Sequence, residues 1–240
     1  MRGIILAGGA GTRLSPLTKV TSKQLLPIYN KPMIYFPLET LIKAGIREVL
    51  VIVAPDHAGD FVKLLGSGKD FDCKISYEVQ DKPNGLPEAF LIGENFIDNE
   101  DVALILGDNL FEDDFVEVVK KFKTGALVFA SKVPDPERFG VVEFDQNNKV
   151  ISIVEKPKEP KSEYAITGLY VYDHTVMQKA KSLKPSARGE LEITDLNNAY
   201  LQEGSLEVAF VKGKWLDTGT FEALFQATEF VRNNALQQQP

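Results

Sequence analysis

Short apolar runs alternate with amphipathic stretches through the first half of the chain. Five runs are almost continuously apolar and predict strands buried on both faces, at 3–7, 49–53, 75–79, 102–106 and 126–130. Between the runs, apolar residues at helical spacing predict helices at 34–44, 60–65, 87–96 and 113–122. This alternation indicates an α/β fold of the Rossmann-like kind, with helices on both faces of a mostly parallel mixed sheet, in three layers.

The pattern changes near residue 131. Apolar and polar residues alternate over 140–154 on either side of Asn147 and Asn148, which predicts a β-hairpin. Beyond it we expect strands at 164–172 and 206–211, helices at 192–202 and 220–232, and frayed residues at 237–240. The chain is therefore expected to form one domain over 1–240 with a β-rich insertion after a nucleotide-binding half.

Composition excludes several classes of protein. The 240 residues are 44% apolar and 25% charged, without the run of about 20 apolar residues that a membrane span needs. The first residues also lack the apolar core of a secretory signal, so we expect a cytoplasmic protein. Cys73 is the only cysteine, which excludes an internal disulfide, and His57 and His174 do not join it at the spacing of a zinc site.

Charge is distributed unevenly. The net charge is −7, which argues against binding to nucleic acid or to an anionic membrane, yet residues 1–38 carry +5 and no acid. The cations are Arg2, Arg13, Lys19, Lys23 and Lys31. They stand among glycines and prolines and not at helical spacing, which favours a site for a small, multiply charged anion over a solvated charged face.

Three glycines, Gly8, Gly9 and Gly11, follow the first predicted strand, at the sheet edge where open α/β folds bind ligands. Glycine permits positive φ and brings backbone N–H groups close to an anion. The string is not a P-loop, and Leu14 replaces the third glycine of the dinucleotide fingerprint. By itself the loop is a weak signal.

Longer strings carry more information. They are LAGGAGTRL at 6–14, PLT at 16–18, SKQLLP at 22–27, KPMIY at 31–35, GDN at 107–109, ERFGVVEF at 137–144, EKP at 155–157, TGLY at 167–170, RGELEITD at 188–195 and WLDTG at 215–219. In this order they resemble the motifs of sugar-1-phosphate nucleotidyltransferases, and the form at 22–27 resembles that of the glucose-1-phosphate thymidylyltransferases. The resemblance covers nearly the whole chain.

The resemblance implies attack by a sugar 1-phosphate on the α-phosphorus of a nucleoside triphosphate, with release of pyrophosphate. The catalytic residues it implies are Arg13, Lys23 and Asp108. The nucleotide-binding residues are Leu6, Gly8, Gly9, Gly11, Thr12, Arg13, Gln24, Gln80, Gly85 and Asp108. The sugar-phosphate-binding residues are Asn109, Gly140, Glu155, Lys156, Tyr170 and Arg188, in the half formed by 131–240 together with Asn109. Phe139 and Trp215 are expected to pack near the sugar pocket.

The implied cofactor is Mg²⁺, held by Asp108 and Asp217, each of which could instead be a helix cap or a turn residue. The implied partners are dTTP, glucose 1-phosphate, pyrophosphate and dTDP-glucose, in a homo-oligomer of the pathway to dTDP-rhamnose. A preference for UTP is the close alternative. A glycosyltransferase and a non-catalytic nucleotide-sugar sensor are more distant ones, and Arg13 with Lys23 argues against both.

The chain departs from the family pattern at a few positions. Pro87 and Glu88 stand where many members have Ala-Gln, which leaves the shape of the base pocket open. Phe139 stands where tyrosine is common. Long members of the family have a C-terminal extension that helps to form a regulatory nucleotide site. We expect this chain to be a short form that lacks the extension.

Overall fold

The computed structural model describes residues 1–147 and 149–237. Its strands are β1 Arg2–Ala7, β2 Pro27–Ile28, β3 Lys31–Pro32, β4 Glu48–Val53, β5 Lys74–Val79, β6 Val102–Leu106, β7 Asn109–Phe111, β8 Ala126–Lys132, β9 Gly140–Phe144, β10 Val150–Glu155, β11 Tyr164–Tyr172, β12 Leu206–Phe210 and β13 Trp215–Asp217. Its α-helices are α1 Tyr35–Lys43, α2 Ala58–Leu65, α3 Glu88–Ile92, α4 Glu94–Ile97, α5 Val116–Lys121, α6 Val176–Ser182, α7 Ile193–Gln202 and α8 Phe221–Gln237.

One nine-stranded mixed sheet organises the molecule. Strands β5, β4, β1 and β6 are parallel neighbours, and β11 continues the sheet antiparallel to β6. Beyond β11 lie β8, with β12 parallel to it, and the β9–β10 hairpin. Strands from both halves of the sequence therefore belong to one sheet.

Helices cover both faces of this sheet. In β1, Ile4 and Leu6 pack into a core with α3, α4, α6 and α7, whereas Ile5 and Ala7 pack into a second core with α1, α2 and α5. Successive side chains of a strand point to opposite faces, so a continuously apolar strand serves both cores. The three-layer α/β prediction is confirmed.

Two predicted helices have different bounds. The helix predicted at 87–96 is two short helices, α3 and α4, joined at Gly93, where an added Cβ would lie 3.1 Å from Leu50 Cδ2 of the sheet. The helix predicted at 113–122 starts only at Val116. Asp113 is engaged elsewhere, because its carboxylate accepts hydrogen bonds from the backbone of Lys212 and Gly213.

The second half follows the predicted order. Strands β9 and β10 form the antiparallel hairpin, although Asn148 of its turn and the predicted fraying at 238–240 lie outside the described residues. The strands and helices predicted from 164 onward correspond to β11, α7, β12 and α8. The pattern did not reveal α6 or the two-stranded pairs β2–β3 and β7–β13. None of the helices in the described ranges has the length and apolar character needed to cross a bilayer.

A buried carboxylate ties β8, β11 and α6 together. Asp173 accepts hydrogen bonds from the backbone N–H groups of Gly125 (2.6 Å) and Thr175 (3.0 Å), and from the hydroxyls of Thr124, Thr175 and Tyr200. Burial acts to raise its pKa, but these donors outweigh burial and lower the pKa of Asp173 to about 2. The charged form is therefore the one that the fold stabilises.

We expect Asp173→Asn to lower the free energy of unfolding by about 2 kcal/mol at pH 7, since an amide replaces a carboxylate that faces several donors. Because the pKa is lower in the folded state, this stabilisation is present above about pH 4 and is lost as the pH falls toward 2. Urea unfolding at pH 7 and pH 3 measures it. The exposed Glu117→Gln should change stability by under about 0.5 kcal/mol. A pH-independent difference for Asp173→Asn would contradict the assignment.

Candidate active site

A cavity of about 620 Å³ opens at the carboxyl ends of β1 and β6. Its walls come from the glycine loop after β1, the 80–86 loop, the β9–β10 hairpin, β11, the start of α7 and β13. Ligands of open α/β sheets bind at this edge. The cavity is therefore where sheet topology and sequence motifs both place a site.

Two carboxylates meet at the centre of this edge. Asp108 follows β6 after one residue, Gly107, and Asp217 ends β13. Pairing of β7 with β13 sets Asp217 opposite Asn109, and Thr218 donates to the Asp108 carbonyl oxygen from its backbone N–H (3.0 Å) and from its hydroxyl (2.7 Å). The small β7–β13 sheet thus joins residues more than a hundred positions apart.

Two cations accompany the carboxylates. The Lys23 ammonium donates to the buried Asp108 carboxylate. A Cβ added at Gly219 would lie 2.5 Å from Arg13 Nη2 and 3.2 Å from Asp217 Oδ1, so Arg13 and Asp217 converge on that glycine. All four charged side chains line the cavity. Asp108 is therefore an ion-paired residue of the cavity and not merely a cap or turn residue.

The two carboxylates differ electrostatically. Burial acts to raise the pKa of Asp108, but the charge and hydrogen bond of Lys23 outweigh it, and the pKa is lowered. For Asp217, burial and the negative charge of Asp108 raise the pKa, against the opposing charges of Lys23 and Arg13. The site therefore balances two acids against two bases. In the described part of the chain, no group of three or more His, Cys, Asp or Glu side chains is placed to hold a metal ion.

The glycine loop is compact. It consists of short 3₁₀ turns, and Gly11 adopts the left-handed conformation (φ 62°) while its carbonyl accepts a hydrogen bond from the Thr18 hydroxyl. Gly9 lines the cavity, whereas Gly11, Thr12 and Gly8 do not line it themselves. Gly8 packs against Gln80, whose Oε1 would lie 2.5 Å from an added Cβ.

The cationic segment contributes only in part to the cavity. Of its five cations, Arg13 and Lys23 line the cavity. Arg2 donates to Phe96 and pairs with acids at the opposite sheet edge, and Lys31 pairs with Glu39. Arg2 and Lys31 therefore pair with acids outside the cavity and do not belong to the predicted anion site.

The predicted base-binding residues line the cavity. Gln24 and Gln80 are buried there with Leu6. Gly85 (φ 111°) bridges to Leu191, whose carbonyl oxygen would lie 2.0 Å from an added Cβ. Only glycine fits this contact, and it connects the 80–86 loop to the segment that precedes α7.

Most of the predicted sugar-binding residues lie near Glu155 in the cavity wall. Glu155 ends β10 opposite Gly140 and accepts a hydrogen bond from the Thr194 hydroxyl (2.6 Å). Lys156 Nζ and Arg188 Nη2 each lie 3.5 Å from Glu155 Oε1. Glu155 thus forms ion pairs, and its carboxylate is also part of the cavity wall.

Arg188 is already engaged. Its guanidinium donates to Glu192 Oε2 at 2.6 Å, and Glu192 also accepts a hydrogen bond from Ser186. Burial acts to raise the pKa of Glu192, but these hydrogen bonds outweigh it and lower the pKa. Glu192 therefore orients Arg188 at the cavity.

Asn109 is fixed by three contacts. Its Oδ1 accepts from Trp215 Nε1 (2.6 Å) and from the Gly168 backbone (3.1 Å), and its Nδ2 donates to Asp108 (3.1 Å). Trp215 packs edge-on against Phe139 with ring centroids 5.2 Å apart. Both rings line the cavity, as the expectation of packing near the sugar pocket requires.

Tyr170 lies buried at the wall of the same cavity. Burial, with the charge of Glu155, raises the pKa of Tyr170 well above its usual range. Its hydroxyl therefore stays protonated at neutral pH and is able to donate a hydrogen bond.

Several cavity residues escaped the sequence interpretation. Thr167 Oγ1 and Asn197 Nδ2 are buried polar atoms without a hydrogen-bond partner among the described residues, and both residues line the cavity. Thr194 and Glu192 line it as well. Thr167, Thr194 and Glu192 lie within the motifs TGLY and RGELEITD, so the resemblance to the family could have indicated them. Asn197 lies on α7, and no sequence pattern distinguishes it.

A family model described as "Nucleotidyl transferase" matches residues 2–234. The chain belongs to the nucleotidyl transferase family. The motif resemblance is thereby confirmed, and this nucleotidyl transferase is an enzyme with the fold that its motifs predict.

Relatives of this nucleotidyl transferase carry a more specific name. A glucose-1-phosphate thymidylyltransferase of Neisseria meningitidis serogroup A is 57% identical over 97% of this chain and 83% of its own length. A glucose-1-phosphate thymidylyltransferase of Mycolicibacterium smegmatis is 54% identical over 99% of this chain and 84% of its own length.

Solved structures agree with the family. A Bacillus anthracis protein described as a candidate glucose-1-phosphate thymidylyltransferase, crystallised with sucrose, is 50% identical with a TM-score of 0.92, covering 97% of this chain and 96% of that one. A UDP-glucose pyrophosphorylase complexed with UDP-glucose is 25% identical with a TM-score of 0.84, covering 97% and 98%. Both similarities extend over the whole described sheet.

Proposed function

We propose that this enzyme transfers a deoxythymidylyl group from dTTP to glucose 1-phosphate, giving dTDP-glucose and pyrophosphate. The observation that carries the proposal is a single cavity that is lined by two cations, two carboxylates, two buried amides and a set of hydroxyls and charged groups. Relatives that share more than half of the sequence carry the name of this activity.

The chemistry requires alignment and charge neutralisation more than proton transfer. A sugar phosphate reaches the site already ionised, so its oxygen attacks the α-phosphorus without a strong general base. In the proposed mechanism Arg13 and Lys23 stabilise the charge that accumulates on the α-phosphate and the departing pyrophosphate. In this proposal the backbone of the glycine loop at Gly9, which lines the cavity, supplies a further donor to the phosphates.

Asp108 and Asp217 fit a magnesium ion. Mg²⁺ is commonly bound by one or two carboxylates together with substrate phosphates and waters. Two carboxylate side chains converge here, and no third His, Cys, Asp or Glu within 1–147 and 149–237 completes a metal cluster with them. When held by these two carboxylates, the ion would neutralise negative charge on the phosphates. Lys23, which pairs with Asp108, is in this proposal the side chain that moves toward the phosphates.

In this proposal the nucleotide base and the sugar phosphate bind to different residues of the cavity. Gln24, Gln80 and Gly85 would contact the base, and Leu6 would pack against it. Glu155 and Asn109 would bind sugar hydroxyls, with Gly140 and Tyr170 completing the pocket, while Lys156 and Arg188 meet the sugar phosphate. The unpartnered Thr167 and Asn197 atoms add polar groups that a hydroxylated ligand or water would satisfy.

The UTP alternative is weaker. The UDP-glucose pyrophosphorylase that this fold resembles is 25% identical, whereas the thymidylyltransferase relatives exceed 50%. A pocket distinguishes one methyl group by only about 1–3 kcal/mol, so turnover of UTP as a poorer substrate is compatible with the proposal.

The deciding experiment supplies glucose 1-phosphate, magnesium and one nucleoside triphosphate at a time, and measures pyrophosphate release. We expect the highest kcat/KM with dTTP, lower with UTP and little with dCTP or purine nucleotides. Omission of glucose 1-phosphate should abolish release. Release with neither dTTP nor UTP would refute the proposed function.

Arg13→Ala should lower kcat by about a thousandfold while the protein stays folded, because it removes a cation aimed at the transferring phosphate. Steady-state pyrophosphate release measures kcat, and thermal unfolding reports the fold. Arg47→Ala, an exposed arginine remote from the cavity, is the matched control and should behave as wild type. Near-normal turnover of folded Arg13→Ala would remove this residue from the mechanism.

Asp108→Asn should raise the half-saturating magnesium concentration by about tenfold or more, since an amide is a poorer ligand for a hard cation. Binding of Mn²⁺ in the presence of dTTP, followed by electron paramagnetic resonance, gives a second measurement independent of turnover. Asp56→Asn makes the same change at an exposed site outside the cavity. The same metal affinity in wild type and Asp108→Asn would argue against the carboxylate as a ligand.

A further inference from the structure

Glu88 connects two neighbouring side chains at the start of α3. Its Oε2 accepts a hydrogen bond from Gln80 Nε2 at 2.6 Å, and its Oε1 accepts one from Asn84 Nδ2 at 2.7 Å. Glu88 is one of the positions at which the sequence departs from the family pattern. Each oxygen of its carboxylate is thus committed to an amide.

The contact with Glu88 determines which way the Gln80 amide faces. An ionised carboxylate only accepts hydrogen bonds, so Gln80 has to present its NH₂ group to Glu88. The carbonyl oxygen then lies on the other side, next to Gly8, where an added Cβ would approach it to 2.5 Å. No donor among the described residues reaches this oxygen, and Gln80 lines the cavity. Gln80 therefore offers the cavity an acceptor.

Gln24 is oriented in the opposite sense. The Ser22 hydroxyl donates to Gln24 Oε1 at 2.6 Å, which leaves the NH₂ group of Gln24 as the end without a partner in the described part of the chain. Gln24 lines the same cavity as Gln80. The two buried amides together present one donor and one acceptor.

We propose that Glu88 is a positioning residue that sets base specificity by holding Gln80 as an acceptor. This proposal rests on the proposed function. Thymine and uracil present an N3–H donor beside the O4 acceptor, which complements the Gln80 carbonyl and the Gln24 NH₂ group. Cytosine presents an N4 amino donor beside an unprotonated N3, which is the reverse order. Glu88 thus favours thymine and uracil and disfavours cytosine.

The test compares dTTP and dCTP binding to the whole chain by isothermal titration calorimetry, with magnesium and without sugar phosphate. Glu88→Gln keeps the size of the side chain but is able to donate or accept, so either orientation of Gln80 becomes possible. We expect the ratio of the dCTP to the dTTP dissociation constant to fall by at least about fivefold. This factor corresponds to the smallest cost of leaving a buried polar group unpaired. Glu88→Lys offers donors only, turns the Gln80 carbonyl toward itself and should lower the preference further.

Asn84→Ala is the control. It removes the second contact of Glu88 but leaves the Gln80 contact, so the ratio of the two affinities should stay at the wild-type value even if both affinities change. An equal loss of preference in Asn84→Ala would mean that loop shape, and not Gln80 orientation, sets the specificity, and would overturn the proposal.

Further outcomes separate the two levels of inference. A wild-type protein that binds dTTP and dCTP equally, or folded Glu88→Gln and Glu88→Lys variants with unchanged preference, would refute the role of Glu88 and leave the proposed function standing. A wild-type protein that binds neither dTTP nor UTP would refute both. Thermal unfolding of each variant shows whether it is folded.

Discussion

The active site depends on the parallel hydrogen bonding of β1 to β6. Their register pairs Leu6 with Leu106, and the Gly107 N–H continues the ladder by donating to the Leu6 carbonyl oxygen. Both strands therefore end at the same level, and the chain after each must turn out of the sheet at adjacent points. The glycine loop and Asp108 are neighbours for this reason, although they lie about a hundred positions apart in sequence.

Charge balance is the second constraint. Two carboxylates placed close together in a partly buried cleft would repel each other, and one of them would tend to stay protonated. Lys23, which pairs with Asp108, and Arg13, which lies near Asp217, offset this repulsion. The same cations are available to phosphates, so one arrangement serves both the stability of the free enzyme and the proposed chemistry.

Much of the fold was predictable because the apolar runs are local signals. Strands such as β1 and β4 need runs of consecutive apolar residues to serve two cores, and this leaves a pattern in the sequence. The pairs β2–β3 and β7–β13 are only two or three residues long, and tertiary hydrogen bonding rather than pattern creates them. The predicted helix start at 113 is wrong for a similar reason, because Asp113 binds the backbone of a distant loop and α5 begins only at Val116.

The candidate site divides in the same way. Residues in glycine-rich or charged strings, such as Arg13 and Asp108, could be found from the chain alone because their chemistry is unusual where it stands. Asn197 could not, because an asparagine on a helix signals nothing until folding buries its amide at a cavity wall. The orientation of Gln80 was equally invisible, since it depends on which end of an amide meets Glu88.

The contact between Gly85 and Leu191 has a mechanical consequence. The Leu191 N–H donates to the Asn84 carbonyl oxygen at 2.7 Å. At Gly85 the 80–86 loop and the segment at Leu191 are in direct backbone contact, with no space for a side chain between them. The 80–86 loop, which borders the base in the proposed function, is thus bound directly to the segment at Leu191 that precedes α7. A movement of the 80–86 loop that made room for a larger base would also displace the segment that carries Arg188. A change in the size of the base site would therefore change the sugar-phosphate site as well.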